Sequence, residues 1–174
     1  MIQELLAEKG AAVEIALTQE VEKSFVGPIT PELYAGFMEA KPRGQDLGNK
    51  GGFKSIVFEY ILPGLIPENH ITLQGNWEAQ PQLLSAEQDG AMLYLNYTAS
   101  EVNIVLETEG EGSAMSVLED GIPLATSRSG SDVIDGQVNV KESRLYNLVN
   151  GAYGNHLLAL NMTRGIKVAA FTFG

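Results

Sequence analysis

Carboxylates are the most numerous reactive groups in this 174-residue chain, and they cluster at two places. Glu107, Glu109 and Glu111 crowd one turn, and Glu119 stands beside Asp120 at another. Acid-catalysed glycoside hydrolysis needs one carboxyl group desolvated and a second kept ionised at a defined separation. Carboxylates at turns are normally hydrated, so the composition of these clusters alone does not make a hydrolase. Nucleophilic catalysis has less to work with. The chain has no cysteine, and its Ser129-Gly130-Ser131 stretch lies in a loop, without the strand-to-helix setting of a nucleophile elbow. His70 reads as a solvated loop residue. His156 opens an alternation His156, Leu158, Leu160, Met162 and reads as a packed or edge residue, so the two histidines do not form a metal site by spacing. Asp132 and Asp135 sit in the Gly-bounded loop SGSDVIDGQ and are the candidates for a structural calcium ion, although their spacing is not that of a calcium loop and Asp135-Gly136 also reads as a turn. No other cofactor is implied.

Aromatic and amide side chains are the remaining means of holding a ligand. Trp77 and Tyr97 share their alternation with aliphatic residues and are expected in the core. Tyr94 falls on the opposite, polar side with Asn96 and Thr98, where a ring can lie against an apolar ligand surface while its hydroxyl bonds. Tyr153, in GAYG, is expected at an exposed loop tip. In the late stretch VKESRLYNLVNG, Arg144, Tyr146 and Leu148 fall on one face and Leu145 and Val149 on the other, with Glu142 placed to pair with Arg144. That strand reads first as sheet packing. The alternative is an Arg144 and Tyr146 face that docks a partner or a sugar.

The elements that position these groups are mostly strands. From residue 53 onward hydropathy alternates with period two: Ile71, Leu73, Gly75 and Trp77 against Thr72, Gln74, Asn76 and Glu78; Leu93, Leu95 and Tyr97 against Met92, Tyr94 and Asn96; Val102, Ile104 and Leu106 against Asn103, Val105 and Glu107. Further strands are expected at 113–119, 137–141, 144–149, 156–163 and 166–173. Asp89-Gly90, Asp120-Gly121 and Asn150-Gly151 are favoured turn dipeptides between them. Many short strands at near-regular spacing predict a mainly β, antiparallel jelly roll or β-sandwich. Ahead of it, residues 1–44 predict a helical segment and linker, and residues 45–174 the β domain. Within the first segment, IQELLAEKG predicts a helix stopped by Gly10, and Thr30-Pro31 predicts the cap and first turn of a helix over 31–40.

Charge narrows the partners. Eleven Lys and Arg against 22 Asp and Glu give a formal net charge of −11, which repels phosphate backbones and anionic lipid surfaces. No apolar run approaches the roughly 20 residues needed to cross a bilayer.

Three stretches carry a family resemblance: TPELYAG at 30–36, LQGNW at 73–77, and the run from Gly130-x-Asp132 through Glu142-x-Arg144-Leu145-Tyr146-x-Leu148-Val149 to the terminal FTFG. In this order and spacing they resemble the C-terminal domain of the DipZ family, over roughly residues 28 to 174. The resemblance implies a carbohydrate-binding-module-like β-sandwich that accompanies a thioredoxin-like domain and a CcdA-like membrane module of cytochrome c biogenesis type. It implies a non-catalytic accessory role, a thioredoxin-like or redox partner, a carbohydrate as a further ligand, and an extracytoplasmic place in a membrane-tethered parent; a cytoplasmic protein is the alternative. IQELLAEKG then looks like the last helix of a thioredoxin-like domain. The Cys-x-x-Cys of that domain is absent from this chain, which is either a fragment or a natural protein without the redox half.

Overall fold

The computed structural model describes residues 27–174; the helix expected at 2–9 and the stretch after it lie outside the described residues. The order of elements is β1 (Leu33–Tyr34), α1 (Phe37–Ala40), a 3₁₀ turn (Lys41–Arg43), β2 (Val57–Tyr60), β3 (Ile71–Ala79), β4 (Leu84–Ala86), β5 (Ala91–Glu107), β6 (Ser113–Glu119), β7 (Ile122–Pro123), a 3₁₀ turn (Thr126–Arg128), β8 (Gln137–Val140), β9 (Arg144–Met162) and β10 (Lys167–Phe173). The described pairings are antiparallel within these strands. The pairings β3–β4, β4–β10, β10–β5 and β5–β3 close a circuit, so the sheet must fold back over itself. The result is a β-sandwich of jelly-roll type whose inward residues form a shared core.

Parity builds that core. Leu73 and Trp77 of β3, Leu93, Leu95, Tyr97, Ile104 and Leu106 of β5, Met115 and Val117 of β6, and Leu158 and Leu160 of β9 are all essentially sealed from solvent. Their odd or even partners face outward along most of each strand. The Asp120-Gly121 dipeptide is the two-residue loop between β6 and β7, where Glu119 pairs with Ile122, and both residues have positive φ, 53° and 84°. That is the type I′ geometry that matches strand twist.

Three expectations are corrected. First, the strands expected at 144–149 and 156–163 are one strand, β9, and Asn150-Gly151 is not a turn. Ala99 pairs with Gly154 and Glu101 with Asn150, so a bulge of residues 151–153 lies opposite Ser100 alone. The long β5 partner holds the backbone extended on both sides, and tertiary pairing overrides the dipeptide's turn preference. It also makes Tyr153 a strand residue in this bulge rather than a loop tip. Second, Val102 pairs with Val149 and Asn103 with Asn147, leaving Leu148 as an extra residue. This bulge flips the parity: Leu148 and Val149 are both buried, while Leu145, expected to share a face with Val149, is exposed. Third, the helix over 31–40 shrinks to α1, with Gly36 rather than Thr30 at its N-cap. Leu33 pairs with Phe171 on the edge of β10, which draws residues 33 and 34 into the sheet. Thr30 instead joins β5: its N–H donates to the Thr98 carbonyl at 2.9 Å, and its Oγ1 accepts from the Thr98 N–H at 2.8 Å. The segment before residue 44 thus contributes Leu33, Ala35 and Ala40 to the buried apolar set.

Candidate functional site

Register across five strands assembles one outward face. Gln74 of β3 pairs with Met92 of β5, Met92 with Asn161 of β9, Asn161 with Ser116 of β6, and Ser116 with Gln137 of β8. Residues directly opposite in neighbouring strands share a face, with strands about 4.8 Å apart. The row is therefore a ladder of amides and a hydroxyl interrupted by one thioether. The next row runs Thr72, Tyr94, Ala159, Leu118, of which Thr72 and Ala159 are covered and Tyr94 and Leu118 half-buried. Tyr94 is half-buried, and its hydroxyl donates to Gln74 Oε1 at 3.0 Å. Asn96, two residues on, accepts at Oδ1 from Asn155 Nδ2 at 2.9 Å. The face ends in an open groove of about 410 Å³, walled by Glu59, Ile61 and Leu62 on one side and floored by Gln74, Gln88 and Met92. Gly75 has φ +89°, and the Gln88 amide lies across it, accepting the Asn76 N–H at Oε1 (3.0 Å). A side chain at residue 75 would be strained by that φ and would press on Gln88, so the glycine sets the groove floor.

Tyr94 and Asn96 are thus brought together; the other sequence-predicted ligand residues are elsewhere. Tyr146 is 1% exposed, its hydroxyl donates to the Glu142 carbonyl at 2.6 Å, and the Arg144 guanidinium carbon lies 3.8 Å from its ring centroid. It pairs with the buried Ile104 of β5 and faces the core, so it offers no ring to a ligand. Arg144 is partly exposed but engaged by Asp132 at 2.8 Å and Glu142 at 3.3 Å. Tyr153 donates to the Pro28 carbonyl at 2.8 Å, fastening the start of the described chain to the β9 bulge.

Asp132 does not fit the calcium role. One oxygen accepts from Arg144 and the other from the Asn147 N–H at 2.7 Å, and the Arg144 hydrogen bond holds its carboxyl below the usual range. Asp135 occupies the turn with φ 50°. Among the described residues, no three Asp, Glu, His or Cys side chains gather to hold an ion.

One polar cluster was missed in the sequence. Glu119 is 6% exposed, not a hydrated turn carboxylate. Its Oε1 accepts from the Tyr97 hydroxyl at 2.5 Å and from Arg128 Nη2 at 3.0 Å, and its Oε2 from Arg128 Nε at 2.6 Å. Burial pushes the Glu119 carboxyl up, but the Arg128 and Tyr97 hydrogen bonds outweigh it and leave the pKa below the ordinary value. Burial, then Glu119, drives the Tyr97 phenol far up. Arg128 Nη1 also donates to the Ala152 carbonyl at 3.3 Å, and a Cβ at Gly151 would stand 2.7 Å from that nitrogen. The cluster therefore pins the β9 bulge. The signal was available: Glu119 follows Met115 and Val117 on the inward parity. Next to it, His156 Nδ1 lies 2.7 Å from Asp120 Oδ2. Although burial opposes it, His156 and the Leu157 N–H hold Asp120 below its usual pKa. The carboxylate at residue 119 is thus locked to a cation rather than poised as an acid.

The profile of one protein family, described as the thioredoxin-like C-terminal domain, matches residues 30–174. The chain belongs to that family. The DipZ proteins of Mycobacterium bovis and Mycobacterium tuberculosis are each 29% identical to it over 148 residues, 84% of this chain. The chain spans 19% of the length of those relatives. The family's C-terminal β domain is therefore what the TPELYAG, LQGNW and Arg144-Leu145-Tyr146 stretches belong to. Among solved structures, family two carbohydrate esterases from Clostridium thermocellum, in complex with cellohexaose, and from Cellvibrio japonicus overlay with a TM-score of 0.46 each. They are 23% and 14% identical, over 56% and 60% of this chain and 29% and 30% of theirs. Having no cysteine, this member of the thioredoxin-like C-terminal domain family contains no Cys-x-x-Cys. No helix of the described residues is long and apolar enough to cross a membrane.

Proposed function

We propose that the chain is a non-catalytic accessory module that works beside a thioredoxin-like redox domain in an extracytoplasmic, membrane-tethered parent protein, and that its outward face holds a neutral glycan. The observation that carries the glycan reading is the aligned row Gln74, Met92, Asn161, Ser116 and Gln137 with Tyr94 alongside. Amides and hydroxyls exchange hydrogen bonds with sugar hydroxyls, and the Tyr94 ring and Met92 thioether supply apolar patches for the C–H face of a pyranose. A net charge of −11 disfavours an anionic ligand and leaves neutral sugars unaffected. The redox chemistry comes from the partner domain, since no thiol is available here.

Calorimetric titration with a panel of neutral oligosaccharides tests this reading. The expected result is saturable heat with at least one member, weakened about ten-fold or more by Tyr94→Ala, the loss of roughly 1.4 kcal/mol expected for one aromatic contact. No heat across the panel would leave a scaffolding role without a sugar.

A further inference from the structure

Strand β2 and the residues flanking it carry a run of exposed large apolar side chains. It pairs with β3 on one side, Val57 opposite Glu78 through Tyr60 opposite Gly75, and its other edge has no backbone partner among the described residues. Large apolar residues in and next to the strand are exposed: Val57 by 55% and Ile61 by 83%, with Ile56 and Phe58 also exposed. Natural edge strands are usually blunted by lysine, proline or a bulge. Residues 56–61, IVFEYI, contain none of these, and the single charge of this four-residue strand is Glu59. A free ladder edge bordered by large apolar side chains is the arrangement by which an extended segment joins a sheet as an extra strand.

Charge identifies the occupant. The single charged side chain of β2 is Glu59, exposed, with no cation in ion-pairing range among the described residues. It shares its strand face with Val57 and with the following Ile61. An added strand sets its own side chains about 4.5–5.5 Å from those of β2, where opposite charges attract and like charges repel. The segment that fits therefore carries lysine or arginine opposite Glu59 and apolar residues two positions to either side. A second copy of this chain is disfavoured, since each copy brings −11 and a Glu59 of its own. We infer that the free edge of Val57–Tyr60 is a docking site for an extended apolar–basic–apolar segment of a partner protein, added to the sheet as a strand next to β2.

Two capped seven-residue peptides alternating threonine and valine, one with lysine and one with glutamate at the centre, test this on the full chain by fluorescence anisotropy and backbone amide NMR. The lysine peptide is expected to bind about five-fold more tightly than the glutamate peptide, the size of one favourable against one unfavourable cross-strand charge pair. Its shifts should centre on Val57–Tyr60. Glu59→Lys is expected to reverse the preference, an outcome a merely structural role would not give. Failure of both peptides to bind at millimolar concentration, equal affinity unaffected by Glu59→Lys, or shifts centred elsewhere would overturn the inference. So would sedimentation showing a dimer of the chain that Glu59→Lys alters, because the occupant would then be a second copy. None of these outcomes depends on whether a glycan binds.

Discussion

Tyr94 and Tyr97 lie three residues apart on β5 and do opposite things. Tyr97 faces inward, wholly buried, and gives its hydroxyl to a carboxylate that Arg128 already holds. Tyr94 faces outward, half-buried, and gives its hydroxyl to the Gln74 amide at the edge of an open groove. Strand parity separates them. A polar group on the inward side must be satisfied by protein, and once satisfied it is structural. The same group on the outward side can exchange its protein partner for a ligand at little cost. The two faces should therefore respond to perturbation in different observables: stability for one, affinity for the other.

The largest effect is expected from Glu119→Ala. Removing the carboxylate leaves Arg128 unpaired and mostly buried and the Tyr97 hydroxyl without an acceptor. Breaking a buried pair on one side costs about 3–5 kcal/mol, and chemical denaturation should show a loss of that order. Acid titration perturbs the same group without mutation. Because the folded-state pKa of Glu119 lies below its ordinary value, its contribution is present in full above the unfolded carboxylate value of about 4.3 and is lost as pH falls through the lower folded value. Asp132, held low by Arg144, acts in the same direction. Wild-type stability should fall as pH drops below about 4.3, and the fall should be shallower in Glu119→Gln. An equal slope in the two proteins would deny the inward cluster its structural role.

Tyr97→Phe should cost less, about 1–3 kcal/mol, because Arg128 still satisfies part of the carboxylate. Combined with Glu119→Gln, the two changes should not add, since the tyrosine and the carboxylate share one hydrogen bond.

How much of this contrast was readable beforehand follows from what parity can carry. Alternation placed Trp77 and Tyr97 in the core and Tyr94 and Asn96 on the polar side, because period two survives wherever a strand is regular. It failed at Val149, where an extra residue at Leu148 shifts the phase and separates Val149 from the exposed Leu145, and no single residue there announces a bulge. It failed at Asn150-Gly151 because a dipeptide's local preference is weaker than pairing with a 17-residue strand. Glu119 was legible by parity yet read by its chemistry as hydrated. Its countercharge is Arg128, nine positions away across a loop, and only the folded backbone brings the two together. The grouping of Gln74, Met92, Asn161, Ser116 and Gln137 is likewise a property of register, which hydropathy does not specify for a face that is not buried.

On the outward side, Tyr94→Ala should leave unfolding free energy within about 0.5 kcal/mol of wild type, as for a surface position without a buried partner. Its effect should appear instead in glycan affinity. A stability loss comparable to that of Tyr97→Phe would mean that the outward ring is a packing element and that the contrast between the two tyrosines is one of degree.

The smallest effect is expected at Tyr153, which is outward like Tyr94 but bonded to backbone. Its hydroxyl reaches the Pro28 carbonyl 125 residues away in sequence. Tyr153→Phe removes one exposed neutral hydrogen bond, worth about 0.5 kcal/mol, near the lower end for such bonds. The change should shift the global midpoint little while speeding hydrogen exchange at Thr30 and Thr98, whose mutual bonds lie just beyond the tether. Exchange that speeds up there and nowhere else would assign Tyr153 to fastening the incoming chain. Unchanged exchange would show that Thr30 alone holds that segment to β5, and that the ring of Tyr153 is free to meet a partner.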